Sequence, residues 1–123
     1  MQLEDLRVYN ISLRVGEIVW NQVAAWEPLA RDTIGKQVIR SADSIAANIS
    51  EGYGRYHFKE NRLFCFYARG SLYETKTWLR KAKNRKLLSS SEFNSLEKEL
   101  TILAKMLNKY IKSIGVFNNT NDN

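Results

Sequence analysis

Apolar residues recur at helical spacing along almost the whole chain, and no segment alternates between apolar and polar residues as a strand does. The pattern predicts four helices, at about residues 3–26, 32–51, 57–84 and 89–114. Short connections between long helices favour antiparallel neighbours. We therefore predict an all-α, up-down-up-down four-helix bundle over residues 1–115, followed by a disordered polar tail at 116–123.

The breaks between these helices carry local signals. Pro28 disfavours helix at the preceding Glu27, which ends the first helix. Asp32 or Thr33 can cap the second helix. A capping-box pattern at 89–92, Ser-Ser-Ser-Glu, predicts the start of the fourth helix.

The first helix carries two apolar rows where a bundle corner needs only one. The second row consists of Leu6, Tyr9, Leu13 and Trp20. An exposed apolar patch of this size marks an interface, so we predict a homo-oligomer that forms through these four residues. The alternative is a wide core-facing arc that the other helices of the same chain cover.

Composition bounds the function classes. The chain has 123 residues, enough for one domain, with 44% hydrophobic and 26% charged residues, which indicates a folded protein. One Cys and one His exclude an intrachain disulfide and a Cys/His zinc site, and we expect no cofactor. The N-terminus lacks a signal-peptide pattern and no apolar run is long enough to span a membrane, so we expect a cytoplasmic protein.

Positive charge is concentrated in the third helix. Residues 55–86 contain ten Lys and Arg and two Asp and Glu, a balance of +8, against −2 for the remainder of a chain whose net charge is +6. An asymmetry of this kind indicates an anionic partner.

The spacing of these cations is regular. Beside the predicted core seam of the third helix run two rows that together form one surface, which we call the basic ribbon: Lys59, Arg62, Phe66, Arg69, Tyr73, Lys76, Arg80 and Lys83. Basic side chains meet phosphates, and exposed rings stack on unpaired bases, although rings at the positions of Phe66 and Tyr73 are more often packed than exposed. The ribbon, with Arg55 before it, is our predicted nucleic-acid-binding site.

Two other interpretations of the ribbon stay open. Cations that flank a heptad seam also occur as a salt-bridged edge that meets acids of a neighbouring helix. A basic helix can also lie on a membrane surface, although this helix is needed for the core.

The candidates for acid–base chemistry are few. They are His57, Glu51, Asp43 and Glu74, and a single His cannot form a relay alone. Cys65 lies in the core seam, which favours a buried, inert thiol. The glycine pair at 52 and 54 fits no phosphate-binding fingerprint and follows a helix, so it is interpreted as a turn. We therefore predict that the protein is not an enzyme.

Residues 44–55 carry a family resemblance. They are close to the pattern Ser-Ile-x-x-Asn-Ile-x-Glu-Gly, here Ser44, Ile45, Asn48, Ile49, Glu51 and Gly52. With residues 4–9, 70–74 and 106–113 they resemble the 23S rRNA-intervening sequence protein family, small bacterial four-helix bundles first recognised as products of intervening sequences in large-subunit ribosomal RNA genes. The likeness covers about residues 3–114, and Ala46 departs from it where many members have proline.

The resemblance implies an antiparallel bundle assembled as a homopentameric ring, with no known catalytic activity. Similar proteins include accessory subunits of diversity-generating retroelements, which bind a reverse transcriptase and its RNA template. For Asn48 and Glu51 we expect partners near a turn or between subunits, and the alternative is a ligand site. The leading hypothesis is a basic oligomer that binds RNA or DNA, most simply structured RNA. The alternative is a protein-interaction scaffold, for example for a reverse transcriptase.

Overall fold

The computed structural model describes residues 1–116, and within them the chain is helical and contains no strand. Of the tail predicted at 116–123, residues 117–123 lie outside the described residues. A 3₁₀ turn, Leu3–Asp5, precedes the elements, in chain order: α1 (Arg7–Ala24), α2 (Pro28–Ala30), a π-helical segment (Arg31–Gly35), α3 (Lys36–Tyr53), α4 (Phe58–Asn84) and α5 (Ser90–Ser113). The four long helices α1, α3, α4 and α5 form the bundle.

The long helices are antiparallel to their neighbours, which confirms the predicted fold class. α1 packs between α3 and α5, and α4 packs between the same two helices on the opposite corner. Contacts run in opposite chain directions along α3 and α4, from Ser41 with Thr75 to Gly52 with Asn61. The α3–α4 pair is the most extensive of the bundle.

The second helix begins earlier than the sequence pattern predicts. Helical structure starts at Pro28, with Glu27 extended before it, so the prediction that Asp32 or Thr33 caps the helix is wrong. Proline suits the first turn of a helix because the N–H that it lacks would have no partner there. Thr33 lies inside the π-helical segment, where its hydroxyl donates to the carbonyl of Leu29 at 2.6 Å.

The connection between α4 and α5 is defined at both ends. Lys86 adopts a left-handed conformation with φ of 62°, and the Leu87 N–H donates back to the Ala82 carbonyl, which closes α4 as a Schellman motif. The predicted capping box is confirmed, because the Glu92 N–H donates to Ser89 Oγ at 3.0 Å and the Ser89 N–H donates to Glu92 Oε1 at 2.8 Å. The hydrogen bond from the Ser89 N–H to the carboxylate lowers the pKa of Glu92.

The core follows the predicted seams. On α4 it contains Cys65, Leu72 and Leu79, with the small residues Ala68, Thr75 and Ala82 along one edge. On α5 the apolar row from Phe93 to Ile111 is buried, and Ile114 beyond the helix is buried with it. Along residues 1–116, no helix is both long enough and apolar enough to cross a bilayer.

Candidate nucleic-acid interface

Four cations of the basic ribbon repeat every seven residues along α4 and lie where α4 meets α5: Arg62, Arg69, Lys76 and Lys83. Arg62 donates to the carbonyl of Ile114 at 3.0 Å, and Arg69 donates to Asn108 Oδ1 at 2.9 Å. Lys76 donates to the hydroxyl of Thr101 at 3.2 Å. These contacts hold half-buried stems against α5 and fix where the charges emerge.

Three of the ribbon's six cations form no ion pair with the residues that the structure describes. Lys76, in contrast, pairs with Glu97 of α5, with 3.1 Å between Nζ and Oε1, as the interpretation of a salt-bridged edge expects. In the described part of the chain, Arg69, Arg80 and Lys83 contact only neutral groups. An Arg bonded to one amide oxygen retains further N–H donors for a phosphate.

The two aromatic residues of the ribbon are exposed, as a stacking role requires. Phe66 is 43% exposed and Tyr73 is 52% exposed. The guanidinium carbon of Arg69 lies 4.8 Å from the centroid of the Phe66 ring, and Lys76 Nζ lies 5.8 Å from that of Tyr73. Each ring therefore stands beside a cation, which places a stacking surface next to a phosphate-binding group.

Lys59 and Arg55 stand apart from the ribbon's centre. Lys59 is exposed and lines a shallow cleft of about 370 Å³ with Arg62, Leu63 and Phe66. Arg55 lies on the other side of α4, 4.7 Å from the ring centroid of Phe64. There it pairs with two carboxylates, Glu51 at 3.0 Å and Glu60 at 3.8 Å. The structure thus groups Arg55 with the α3–α4 turn and not with the basic ribbon.

A further row of cations on α5 was missed by the sequence reasoning. Lys98, Lys105 and Lys112 are exposed and repeat every seven residues, a signal that the same test applied to the fourth helix would have found. Lys98 follows Glu97, and Lys105 and Lys112 come one helical turn after Thr101 and Asn108. Glu97, Thr101 and Asn108 are α5 residues that contact the ribbon, so the lysine row runs along its far edge.

The motif at residues 44–52 builds the contact between α3 and α4. Ile45 and Ile49 are fully buried in the core. On the neighbouring edge, Ser71 of α4 donates to Ser44 Oγ at 2.9 Å, and Asn48 donates to the carbonyl and the hydroxyl of Ser44. Asn48 thus finds its partner within the helix, near the contact with α4.

The two remaining motif residues lie at the end of α3. Glu51 pairs with Arg55 in the turn that follows the helix. Gly52 is buried against Asn61 of α4. The structure therefore gives Glu51 a partner near a turn, which is one of the two places expected from the sequence.

The groups considered for acid–base chemistry do not converge. Cys65 is buried, and burial raises the pKa of its thiol to about 11. Burial also raises the pKa of Asp43, and the nearby Glu17 carboxylate adds to the rise. Asp43 faces α1, on the opposite side of α3 from His57 and α4. Among residues 1–116 no three His, Cys, Asp or Glu side chains are grouped so that they could hold a metal ion.

The apolar row predicted as an interface on α1 is divided between core and surface. Leu6 is 8% exposed and belongs to the core of its own chain, so its side chain offers no surface to a partner. Tyr9 is half-buried, while Leu13 and Trp20 are 44% and 56% exposed. Leu13 and Tyr9 line a cleft between α1 and α3 that also contains the carboxylates of Glu17 and Asp43.

Comparison with known proteins gives one family and one fold. Residues 4–109 match the model of the 23S rRNA-intervening sequence protein family. A solved structure, a protein of unknown function from the S23 ribosomal protein family of Bacteroides thetaiotaomicron, is similar to this chain with a TM-score of 0.78. The two are 24% identical over 86% of this chain and 99% of that one, so the likeness concerns the fold. No curated protein matches the chain.

Proposed function

This chain belongs to the 23S rRNA-intervening sequence protein family, and from that premise we propose that it is a non-enzymatic protein that binds structured RNA along the basic ribbon. The observation that carries the proposal is that three cations of the ribbon contact only neutral groups among the described residues. Arg69, Arg80 and Lys83 keep their charge without a described carboxylate partner, although Glu97 and Glu99 lie on the helix beside them. A surface that leaves cations uncompensated attracts a polyanion.

The dimensions of the ribbon suit a phosphate backbone. From Arg62 to Lys83 the cations cover 21 residues of helix, or roughly 32 Å. The half-buried stems fix the positions of the charged groups, and the lysine row of α5 widens the positive surface. Duplex RNA is recognised mainly by shape and by its phosphates and 2′-hydroxyls, so a rigid row of cations is a fitting partner.

Self-association is part of the proposal. The exposed side chains of Leu13 and Trp20, with the half-buried Tyr9 beside Leu13, form the apolar surface through which copies of the chain would associate, and the family resemblance favours a pentamer. In such an assembly the ribbon is presented once per copy. Weak contacts to one RNA molecule would then combine through their effective concentration.

Fluorescence anisotropy with a labelled RNA hairpin across a salt series tests the proposal. The Arg69→Ala/Lys83→Ala variant removes two ribbon cations that contact only neutral groups, and we expect it to weaken binding about tenfold or more. The slope of log K against log salt should also become shallower, by about 0.7 to 0.9 for each phosphate that the variant no longer neutralises. The matched control, Arg7→Ala/Arg14→Ala, removes two exposed cations of α1.

The comparison of these variants decides the result. An equal weakening of binding in both variants means that net charge alone attracts the RNA and contradicts a site on the ribbon. No binding by the unmodified protein at low salt contradicts the proposed function. Circular dichroism of each variant shows whether the helical fold is retained.

A second candidate function is an accessory subunit that docks on an acidic protein surface, for example on a reverse transcriptase. The ion pair between Lys76 and Glu97 favours it, because it shows that the ribbon accepts carboxylates in good geometry. Competition separates the two candidates. If the ribbon binds RNA, an RNA hairpin displaces an acidic protein partner from it. If the second candidate is right, the protein partner binds and the RNA hairpin does not.

A further inference from the structure

A second positively charged site lies on the other side of α4 from the basic ribbon. Here the π-helical segment and the first turn of α3 meet the end of α4 and form a cleft of about 430 Å³. Its lining includes Lys36 and Arg40 from α3, and Trp78 and Arg85 from α4 and its end. The volume falls within the range of small-molecule sites, roughly 300 to 1,000 Å³.

The three cations of this cleft have no partner within the described residues. Lys36, Arg40 and Arg85 form no ion pair and no hydrogen bond there. The one carboxylate in the lining, that of Asp32, lies 3.8 Å from Arg31. Three cations that line one cleft without an ion pair of their own favour the binding of an anion.

Trp78 gives the cleft a flat apolar wall. The indole is half-buried, and its Nε1–H donates to Glu74 Oε2 at 3.0 Å, which fixes the orientation of the ring. Lys81 Nζ lies 5.9 Å from the ring centroid. The polar edge of the indole is therefore satisfied outside the cleft, and ring surface is left for an aromatic ligand to contact.

The backbone beside the cleft is also unusual. The lining residues Asp32, Thr33 and Ile34 belong to the five-residue π-helical segment, a widened turn within the helical stretch from Pro28 to Tyr53. Single π-turns inside longer helices occur frequently at functional sites. Two of these residues, Asp32 and Thr33, contribute polar side chains to the lining.

We propose that this cleft binds one unpaired nucleotide of an RNA strand, with Lys36, Arg40 and Arg85 on its phosphate and the base against Trp78. The combination of cations with an aromatic wall is the chemistry of single-strand recognition, in which stacking tolerates any base. A paired base cannot enter, because both of its faces are covered in the duplex. The phosphate-and-ring chemistry rests on the cleft itself, whereas the choice of an RNA strand over a free nucleotide rests on the proposed function.

The experiment follows the indole N–H signals of the three tryptophans by NMR in the full-length protein. Trp78→Phe identifies the signal of Trp78. Three probes are added separately: a single-stranded RNA of about 12 nucleotides, within the site sizes known for single-strand binders, the duplex of the same sequence, and adenosine monophosphate. Lys36→Ala/Arg40→Ala tests the cations, and Arg7→Ala/Arg14→Ala is the charge-matched control.

We expect the single strand to shift the Trp78 signal while the Trp20 and Trp26 signals move less. Lys36→Ala/Arg40→Ala should weaken this binding about tenfold, and the control should not. A strand that binds without moving Trp78 overturns the inference. Adenosine monophosphate binding as tightly as the strand overturns the choice of RNA and assigns the cleft to a free nucleotide.

The duplex separates this inference from the proposed function. If the duplex binds through the ribbon and the single strand leaves Trp78 unchanged, the cleft proposal fails and the proposed function stands. If the single strand shifts Trp78 and the duplex does not bind, the cleft proposal stands and the proposed function fails.

Discussion

Gly52 of α3 lies against Asn61 of α4 so closely that no side chain fits between them. A Cβ at residue 52 would stand 2.7 Å from Asn61 Oδ1 and 2.8 Å from the Asn61 carbonyl oxygen. The second of these atoms is backbone and cannot move without moving α4. The closing glycine of the family-like motif is thus required by the approach of two helices and not by a left-handed turn.

Gly52→Ala should therefore lower the free energy of unfolding by about 1 to 3 kcal/mol, the usual cost of an overpacked core. Urea denaturation followed by circular dichroism measures the change. Gly54→Ala is the matched control, because a Cβ there meets its nearest atoms at 3.6 and 3.7 Å, an ordinary contact. Equal stability of the two variants would contradict the close approach.

Gly70→Ala should have the opposite effect. Gly70 lies in the middle of α4, and a Cβ there would meet nothing within 4 Å. Alanine loses less conformational entropy than glycine in a helix, so we expect the free energy of unfolding to rise by about 0.5 to 1 kcal/mol. A lower stability accompanied by a lower mass in solution would show instead that a second copy packs on this face.

The fold could be predicted from the sequence because the core seams are periodic. The heptad from Cys65 to Leu79 and the row from Phe93 to Ile111 are both buried as the spacing predicts. The start of the second helix could not be predicted, because the sequence offers two signals for it. Asp32 and Thr33 are both typical caps, whereas Pro28 is equally typical of a break and of the first turn of a helix, and the helix begins at Pro28. The burial of Leu6 could not be predicted either, because spacing along one helix does not show which neighbour covers a residue.

The candidate site was predictable in part. A place beside the core seam left open whether Phe66 and Tyr73 are packed or exposed, and the structure shows that both are exposed. Pairing across helices does not follow from one helix alone, so the ion pair of Lys76 with Glu97 and the position of Arg55 needed the structure. The cleft at Trp78 joins residues that are about 40 positions apart in the sequence, and no local pattern connects them.

The lysine row of α5 should contribute to RNA binding. Lys98→Ala/Lys105→Ala removes two exposed cations from the far edge of the ribbon. We expect weaker binding at every RNA sequence and a shallower salt slope, because phosphate contacts carry no base information. Anisotropy in the same salt series measures both, and a slope equal to that of Arg7→Ala/Arg14→Ala would exclude this row from the interface.

Cys65 should be unreactive until the protein unfolds. Burial raises the pKa of its thiol from the ordinary value of 9.0 to about 11, so the thiolate that reacts with alkylating reagents is scarce at neutral pH. Because the thiol has a higher pKa in the folded than in the unfolded state, its contribution to the free energy of unfolding is complete below pH 9. That contribution is lost as the pH rises towards 11. Labelling by iodoacetamide in native buffer and in urea tests this, and the loss of stability above pH 9 should be smaller in Cys65→Ala. Rapid labelling of the native protein would contradict a buried thiol.

The exposed apolar surface of α1 can be tested by its effect on mass in solution. Leu13 and Trp20 present apolar area that residues 1–116 leave exposed, and burying it between copies would stabilise an oligomer. Lysine is the substitution to use, because Leu13 lines a cleft with Glu17 and Asp43, and a new carboxylate there would destabilise even a single chain.

We expect Leu13→Lys/Trp20→Lys to sediment as a monomer and the unmodified protein as an oligomer. Ile102→Lys, at a 45% exposed position on α5, is the matched control and should keep the mass of the unmodified protein. If the double variant also keeps that mass, copies of the chain associate through another surface, and the outward face of α4 around Gly70 becomes the next one to alter.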